Sequence, residues 1–164
     1  AMGDALAMAL MDEKKFTSND FALFHPGGAL GRKLLLTVKN VMHTGEDNPI
    51  IACGKTVQDA LFVMTEIGLG AVSVTDKNGK MVGLITDGII RRALRKDYNF
   101  LDEPVENIMF TEPVTISENK LAAAALSVME KHKPRPITVL PVVDKDKIPV
   151  GIVHLTDLLR QGVV

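Results

Sequence analysis

The chain has 164 residues, 46% of them hydrophobic, with 19 basic against 20 acidic side chains and a net charge of −1. That apolar share can build a core, so a disordered segment is excluded, and the balanced charge gives no electrostatic footing for nucleic acid or an anionic membrane surface. No apolar run approaches the roughly 18 residues a membrane span needs, and no basic-then-apolar export signal is present, so a cytoplasmic protein is expected.

A single cysteine, Cys53, rules out an intrachain disulfide and a multi-cysteine zinc site. It reads as a small, semi-buried apolar residue. The four histidines lack ligand spacing with carboxylates, so no metal site and no required cofactor are expected.

Residues 1–37 form a lead-in. The run of Ala, Leu and Met over 4–12 favours helix and is too continuously apolar for a free solvated terminus, so it reads as the last helix of something larger. Thr17 or Ser18 can cap a short second helix through Phe21 and Leu23. His25-Pro26-Gly27-Gly28 predicts a sharp loop, and Leu30 to Leu36 a short helix.

A first unit follows over 38–102. Thr56 is placed to cap a helix whose apolar stripe is Val57, Ala60, Leu61, Met64 and Ile67, stopped by Gly68 and Gly70. Ala71–Thr75 predicts a strand, Asp76-Lys77-Asn78-Gly79 a hairpin turn, Met81–Ile85 the returning strand, and Asp87–Arg95 a second helix. The second unit, 103–164, repeats this order. An extended piece at Val114-Thr115-Ile116 leads to a helix over Lys120–Lys131. Then come strands over Ile137–Val143 and Ile148–His154 around the turn at Asp144-Lys145-Asp146-Lys147, and a closing helix over Thr156–Arg160.

The two units match residue by residue. Val57, Ala60, Leu61 and Met64 recur 65 positions later as Ala122, Ala125, Leu126 and Met129. Val41-Met42 recurs as Ile108-Met109 at 67, and Val82-Gly83-Leu84-Ile85 as Val150-Gly151-Ile152-Val153 at 68. The drift places small insertions in loops. A duplicated strand-helix-strand-strand-helix unit leaves one sheet face uncovered, and its copy can cover it, with a cleft where the two meet. Met42, Met64, Met81, Met109 and Met129 read as core filling.

This order, with GLITDG in the first copy and GIVHLTDLL in the second, resembles a tandem pair of cystathionine-β-synthase (CBS) domains over about residues 38–162. The resemblance implies an α+β fold, α/β-like, of two β-α-β-β-α repeats related by a pseudo-two-fold axis. The flanking GDALAMAL, FALFHPGGALGRKLLL, VMHTG and DLLRQGVV segments resemble bacterial D-arabinose-5-phosphate isomerases, in which a sugar-isomerase (SIS) domain precedes a CBS pair. By that resemblance the chain holds the end of the isomerase domain, residues 1–37, and the whole CBS pair. The parent enzyme would convert ribulose 5-phosphate to arabinose 5-phosphate for Kdo, a sugar of lipopolysaccharide or capsule.

The resemblance makes His25 of the HPGG motif part of the isomerase active site, where acid–base groups are needed, but only in an intact enzyme. The other catalytic groups are not in this sequence, so the chain alone is not expected to catalyse. Thr86-Asp87 and His154/Thr156-Asp157 sit where strands end and helices begin, positions that favour phosphate and that CBS pairs use to hold nucleotides; the same residues are also ordinary helix caps. Aligned on Gly83 and Gly151, the ribose-binding Asp of the family is Asp157 in the second copy but Ile89 in the first, and the family Thr is Thr86 in the first but His154 in the second. One specialised site anchored by Asp157 is therefore expected rather than a symmetric pair.

Arg91, Arg92 and Arg95 on one helix, and Lys131, His132, Lys133 and Arg135 before Pro136, could hold phosphate or form a solvated face. Arg91 and Arg135 are the chosen candidates, with His43 and Thr44 as residues able to reach the cleft. The resemblance implies a regulatory, oligomerising module that senses a nucleotide, either CMP-Kdo as a feedback ligand or an adenine nucleotide, and acts on the SIS domain of the same chain. The competing reading is a purely structural dimerisation module with a vestigial cleft.

Overall fold

The computed structural model describes residues 35–96 and 100–163. The expected helices over 4–12 and 17–23, the loop at His25 and most of the 30–36 helix lie outside the described residues.

Strand β1 (Ile50–Ala52) runs parallel to β2 (Ala71–Thr75), which pairs antiparallel with β3 (Met81–Thr86), giving the sheet order β1-β2-β3. Helix α1 (Val57–Ile67) connects β1 to β2, and α2 (Asp87–Lys96) follows β3 directly. The second repeat holds α3 (Ala122–Lys131), the antiparallel pair β4 (Val139–Val143) and β5 (Pro149–His154), and α4 (Leu155–Arg160). The extended piece expected at 114–116 contributes only Ile116, which bridges in parallel to Val142, the counterpart of the β1–β2 pairing.

Helix α1 begins and ends as its sequence dictates. The Thr56 hydroxyl accepts from Asp59 N–H at 3.1 Å while the Asp59 carboxylate accepts from Thr56 N–H at 3.0 Å. Gly68 closes the helix in the left-handed conformation, φ +74°. The hydrogen bond from Thr56 N–H is the largest influence holding the Asp59 carboxyl below its ordinary pKa. A group depressed in the folded state stabilises fully above its unfolded pKa, about 4, and loses that contribution as pH falls through the folded value. Asp59→Asn, which removes the charge that accepts from Thr56 N–H, is therefore expected to destabilise the chain at neutral pH. That cost should shrink in urea titrations taken progressively below pH 4, and a pH-independent cost would show that the ionised Asp59 carboxylate does not support the cap.

The two hairpins share one turn design. Asp76 Oδ1 accepts from the N–H groups of Asn78 and Lys80, and Asp144 Oδ1 from those of Asp146 and Ile148, at 2.8 to 2.9 Å. The loop is thus keyed on its first aspartate and not on Asn78-Gly79 alone. Gly79 and, at the matching position, Lys147 both adopt positive φ, 78° and 65°.

The segments that precede each repeat pack on the other one. Leu36 O accepts from Ala122 N–H at 2.8 Å and caps α3, which lacks a side-chain cap; Val38 N–H donates to Lys120 O at 2.8 Å. Val38 and Val41 are buried in the second repeat's core with Met129, Leu140, Val153 and Leu158. In mirror fashion Glu103 O caps α1 through Val57 N–H at 2.9 Å, and Val105 joins the first repeat's core with Met64, Val72 and Ile85. A third apolar cluster, Ala71, Leu84, Val139 and Ile152, joins the two sheets.

Candidate functional site

The sheet-to-sheet contact leaves a cleft of about 390 Å³ at one end of the apolar seam. The first repeat lines it with Gly68, Leu69 and Gly70 from the α1–β2 turn and with Thr86, Asp87, Gly88 and Arg91 from the β3–α2 junction. The second lines it with Pro136, Ile137, Thr138 and Val139 entering β4, and with His154 at the end of β5. Both strand-to-helix junctions thus reach one space, because the two repeats bring the carboxyl ends of β3 and β5 together.

The chemistry of the lining follows from local geometry. Asp87 N–H donates to Gly70 O at 3.0 Å, and a Cβ at Gly70 would lie 2.8 Å from Asp87 Oδ2. With φ at +65°, that position is restricted to glycine on both counts. Arg91 lies one helical turn beyond Asp87 on the same face of α2. With Asp87 N–H taken by Gly70 O, the Thr86 hydroxyl and the Arg91 guanidinium are the side-chain donors at that corner, beside the Asp87 carboxylate as acceptor. On the opposite wall His154 is fixed by a local loop: its Nδ1 accepts from Thr156 N–H at 3.2 Å and meets Thr156 Oγ1 at 2.7 Å.

The remaining sequence-selected residues stand elsewhere. Asp157 and His43 do not line the cleft but meet each other: His43 Nε2–H donates to Asp157 Oδ2 at 2.8 Å, and both side chains are largely covered, 31% and 20% exposed. Arg160, largely exposed, approaches Asp157 Oδ1 at 3.7 Å. Thr156 is occupied with His154. Thr44 precedes the short helical turn Gly45–Asp47 without capping it by its side chain. Arg135 lies one residue before the cleft wall, and its carbonyl accepts from the His132 ring at 2.9 Å. His25 lies outside the described residues. Cys53, half-buried, is far from thiolate chemistry, since burial and then the Glu106 carboxylate push its pKa up.

Sequence reasoning missed two contributions. The backbone of 68–70 lines the cleft, yet Gly68 and Gly70 read only as helix stops. The pairing of His43 with Asp157 spans 114 positions and had no local signal. It exists because His43 crosses onto β5, exchanging backbone hydrogen bonds with Ile152 at 2.8 and 3.1 Å.

Comparison with known proteins agrees with this architecture. The CBS domain model matches residues 38–96 and again 105–163. Over 163 residues, 99% of this chain, the sequence is 46% identical to the arabinose 5-phosphate isomerase KdsD of Pseudomonas aeruginosa and 42% identical to that of Yersinia pestis. Those matches cover 49% and 48% of the relatives, so the chain spans about half the length of the curated proteins it matches. The solved CBS domain pair of protein MJ0100, in complex with 5′-methylthioadenosine and S-adenosyl-L-methionine, is similar with a TM-score of 0.66 at 25% identity, over 76% of this chain and 93% of that one. Two matched copies across most of the sequence, folded as interlocked repeats around one cleft, make this chain a member of the CBS domain family, an α+β tandem pair whose curated relatives are arabinose 5-phosphate isomerases.

Proposed function

We propose that this chain is the regulatory CBS pair of an arabinose-5-phosphate isomerase and that a phosphate-bearing nucleotide binds between its repeats. The observation that carries the reading is the cleft itself: both repeats contribute a strand-to-helix junction to it, with Thr86, Asp87, Arg91 and His154 on its walls. Likeness to a CBS pair solved with two adenosine compounds supports a nucleoside ligand. The names of the relatives support the isomerase and, through it, CMP-Kdo as the feedback candidate beside adenine nucleotides.

In this reading the phosphate rests at the start of α2 near Thr86 and Arg91, and sugar hydroxyls are accepted by a carboxylate. Asp87, on the cleft wall, is that acceptor, whereas Asp157, the acceptor expected from the sequence, is paired with His43 outside the lining. Ile89, at the position matching Asp157, has no polar group and packs against the first repeat's core, and one nucleotide in this cleft is expected. Regulation then requires unequal ligand affinity for two states of the enzyme, passed to the SIS domain through the segment that ends at His43. Oligomerisation of the parent enzyme through this module belongs to the same proposal.

Thermal unfolding with AMP, ATP, CMP and CMP-Kdo tests it. A ligand at ~100 times its Kd stabilises by ~2.7 kcal/mol, which raises Tm by several degrees at ~2–4 °C per kcal/mol. Asp87→Ala or Arg91→Ala should remove most of that shift. If none of the four moves Tm at millimolar concentration, the sensing role fails and a bracing module with a vestigial cleft takes its place.

A further inference from the structure

The two walls of the cleft are built from matched junctions but carry different chemistry. Counted from Gly83 and Gly151, Thr86 corresponds to His154, Asp87 to Leu155 and Arg91 to Leu159. The first wall therefore brings a carboxylate and a guanidinium to the space. Among the described residues the second wall, Pro136 to Val139 with His154, contributes no carboxylate, lysine or arginine. A phosphate is matched by the first wall, which leaves the second to the uncharged part of a ligand.

His154 carries the directional group of that second wall. The N–H and the hydroxyl of Thr156 both converge on its Nδ1, at 3.2 and 2.7 Å, and the side chain in this way caps α4. A backbone N–H can only donate. Nδ1 therefore presents its lone pair, and the neutral ring keeps its proton on Nε2. With Nδ1 spent inside the junction, Nε2–H is the polar group that the ring offers the cleft. The Thr138 hydroxyl, also on this wall, rotates to donate or to accept and so discriminates neither.

We propose that His154 is a specificity-determining residue: its Nε2–H, oriented by the cap on Nδ1, donates to a ring-edge acceptor of a nucleobase lying along Pro136 and Ile137, and so selects a nucleotide over a sugar phosphate that has no base. The proposal rests on the reading of the cleft as a nucleotide site. With the phosphate at Arg91 and the sugar hydroxyls on Asp87, the base is the part of the ligand left to reach the second wall. Adenine and cytosine are flat, cover the apolar Pro136 and Ile137 side chains, and present acceptors at their edges. A sugar phosphate held by the same first wall carries no such ring, and the second wall adds nothing to its affinity.

Substitution separates the two ring nitrogens. Asparagine sets an acceptor near the place of Nδ1 and is a preferred N-cap, but it has nothing at the place of Nε2. Glutamine sets an amide donor near the place of Nε2 and does not cap. The test is calorimetric titration of AMP, CMP and ribose 5-phosphate into the wild type, His154→Asn and His154→Gln, with urea unfolding of each. His154→Asn should keep the wild-type urea midpoint and bind AMP or CMP about fivefold more weakly, the equivalent of one net hydrogen bond. His154→Gln should lower the midpoint and bind the nucleotide close to the wild type. Ribose 5-phosphate should bind the wild type more weakly than the nucleotide or not at all, with no further loss in either variant. Unchanged nucleotide affinity in His154→Asn, or an equal loss for ribose 5-phosphate, overturns the proposal and leaves the nucleotide site standing. A midpoint in His154→Asn as low as that of His154→Gln overturns the placing of the proton on Nε2 and the proposal with it. Absence of AMP and CMP binding to the wild type overturns the nucleotide reading and this inference together.

Discussion

Gly151→Ala is expected to destabilise the chain by about 3 kcal/mol, at the upper end of what overpacking costs, and Gly83→Ala by clearly less. The two glycines are repeat-equivalent, and each lies where the other repeat's preceding segment crosses a strand. What a new Cβ would strike differs. At Gly151 it would meet the backbone carbonyl oxygen of His43 at 2.6 Å and the Met42 sulfur at 3.0 Å. The carbonyl is fixed, because it accepts from Ile152 N–H and the His43 ring is held by Asp157. Relief therefore requires the whole 41–44 crossing to lift, breaking two backbone hydrogen bonds. At Gly83 the Cβ would meet the side chain of Met109, with Cγ at 2.8 Å, and a methionine can change rotamer. Urea unfolding of the two variants measures the difference. Equal losses would mean that the crossing at His43 is as pliable as a methionine side chain. The same displacement should raise hydrogen exchange at residue 43, an effect Gly83→Ala lacks.

The features legible in the sequence were those with local causes. Thr56 and Gly68 bound α1 through contacts three or four residues apart, and both hairpin turns close within five residues, although the roles of Asp59, Asp76 and Asp144 in them emerge only from the structure. Element edges shifted where a long-range partner claimed a backbone group. Helix α3 starts at Ala122 and not at Lys120, because the Lys120 carbonyl accepts from Val38 N–H and Leu121 stays extended. Strand β4 starts at Val139 and not at Ile137, because Ile137 N–H closes the end of α3 on Met129 O. Ile148 N–H is taken by Asp144 Oδ1, so β5 begins one residue later.

The candidate site divides in the same way. Thr86, Asp87, Arg91 and His154 are set by strand ends and helix starts, which sequence pattern reveals, and they share one cleft. His43 and Asp157 were singled out as separate candidates, but their partnership depends on which repeat the lead-in segment crosses. Repeat offsets cannot reveal that, since a segment packed on its own repeat would give the same 65-to-68 spacing. Ile89 opposite Asp157 showed that the halves differ. The further difference of Phe110 opposite His43 emerges only once both crossings are aligned on Leu84 and Ile152.

Leu140→Ala should cost about 3 kcal/mol, within the 2–5 kcal/mol range for deleting a fully buried leucine. Leu140 has no exposed surface and sits on β4 in the cluster with Met129, Val153 and Leu158. Its loss removes buried apolar area and leaves a cavity between a sheet and two helices that cannot both move inward. The same cluster contains Val38 and Val41, so the cavity lies under the segment that joins the repeats to the upstream chain. Two readouts follow. Urea unfolding should show the full loss, against a near-zero change for Phe62→Ala, whose side chain is 64% exposed on α1. Exchange of the Val38 and Val41 amides, which donate to Lys120 O and Val38 O, should quicken more than that of Val72 or Ile85 in the first repeat's core. A loss below 1 kcal/mol, or equal quickening in both repeats, would contradict a second-repeat core that includes the lead-in. The outcome bears on the fold directly, because it tests whether the segment carrying Val38 and Val41 is built into the core of the second repeat.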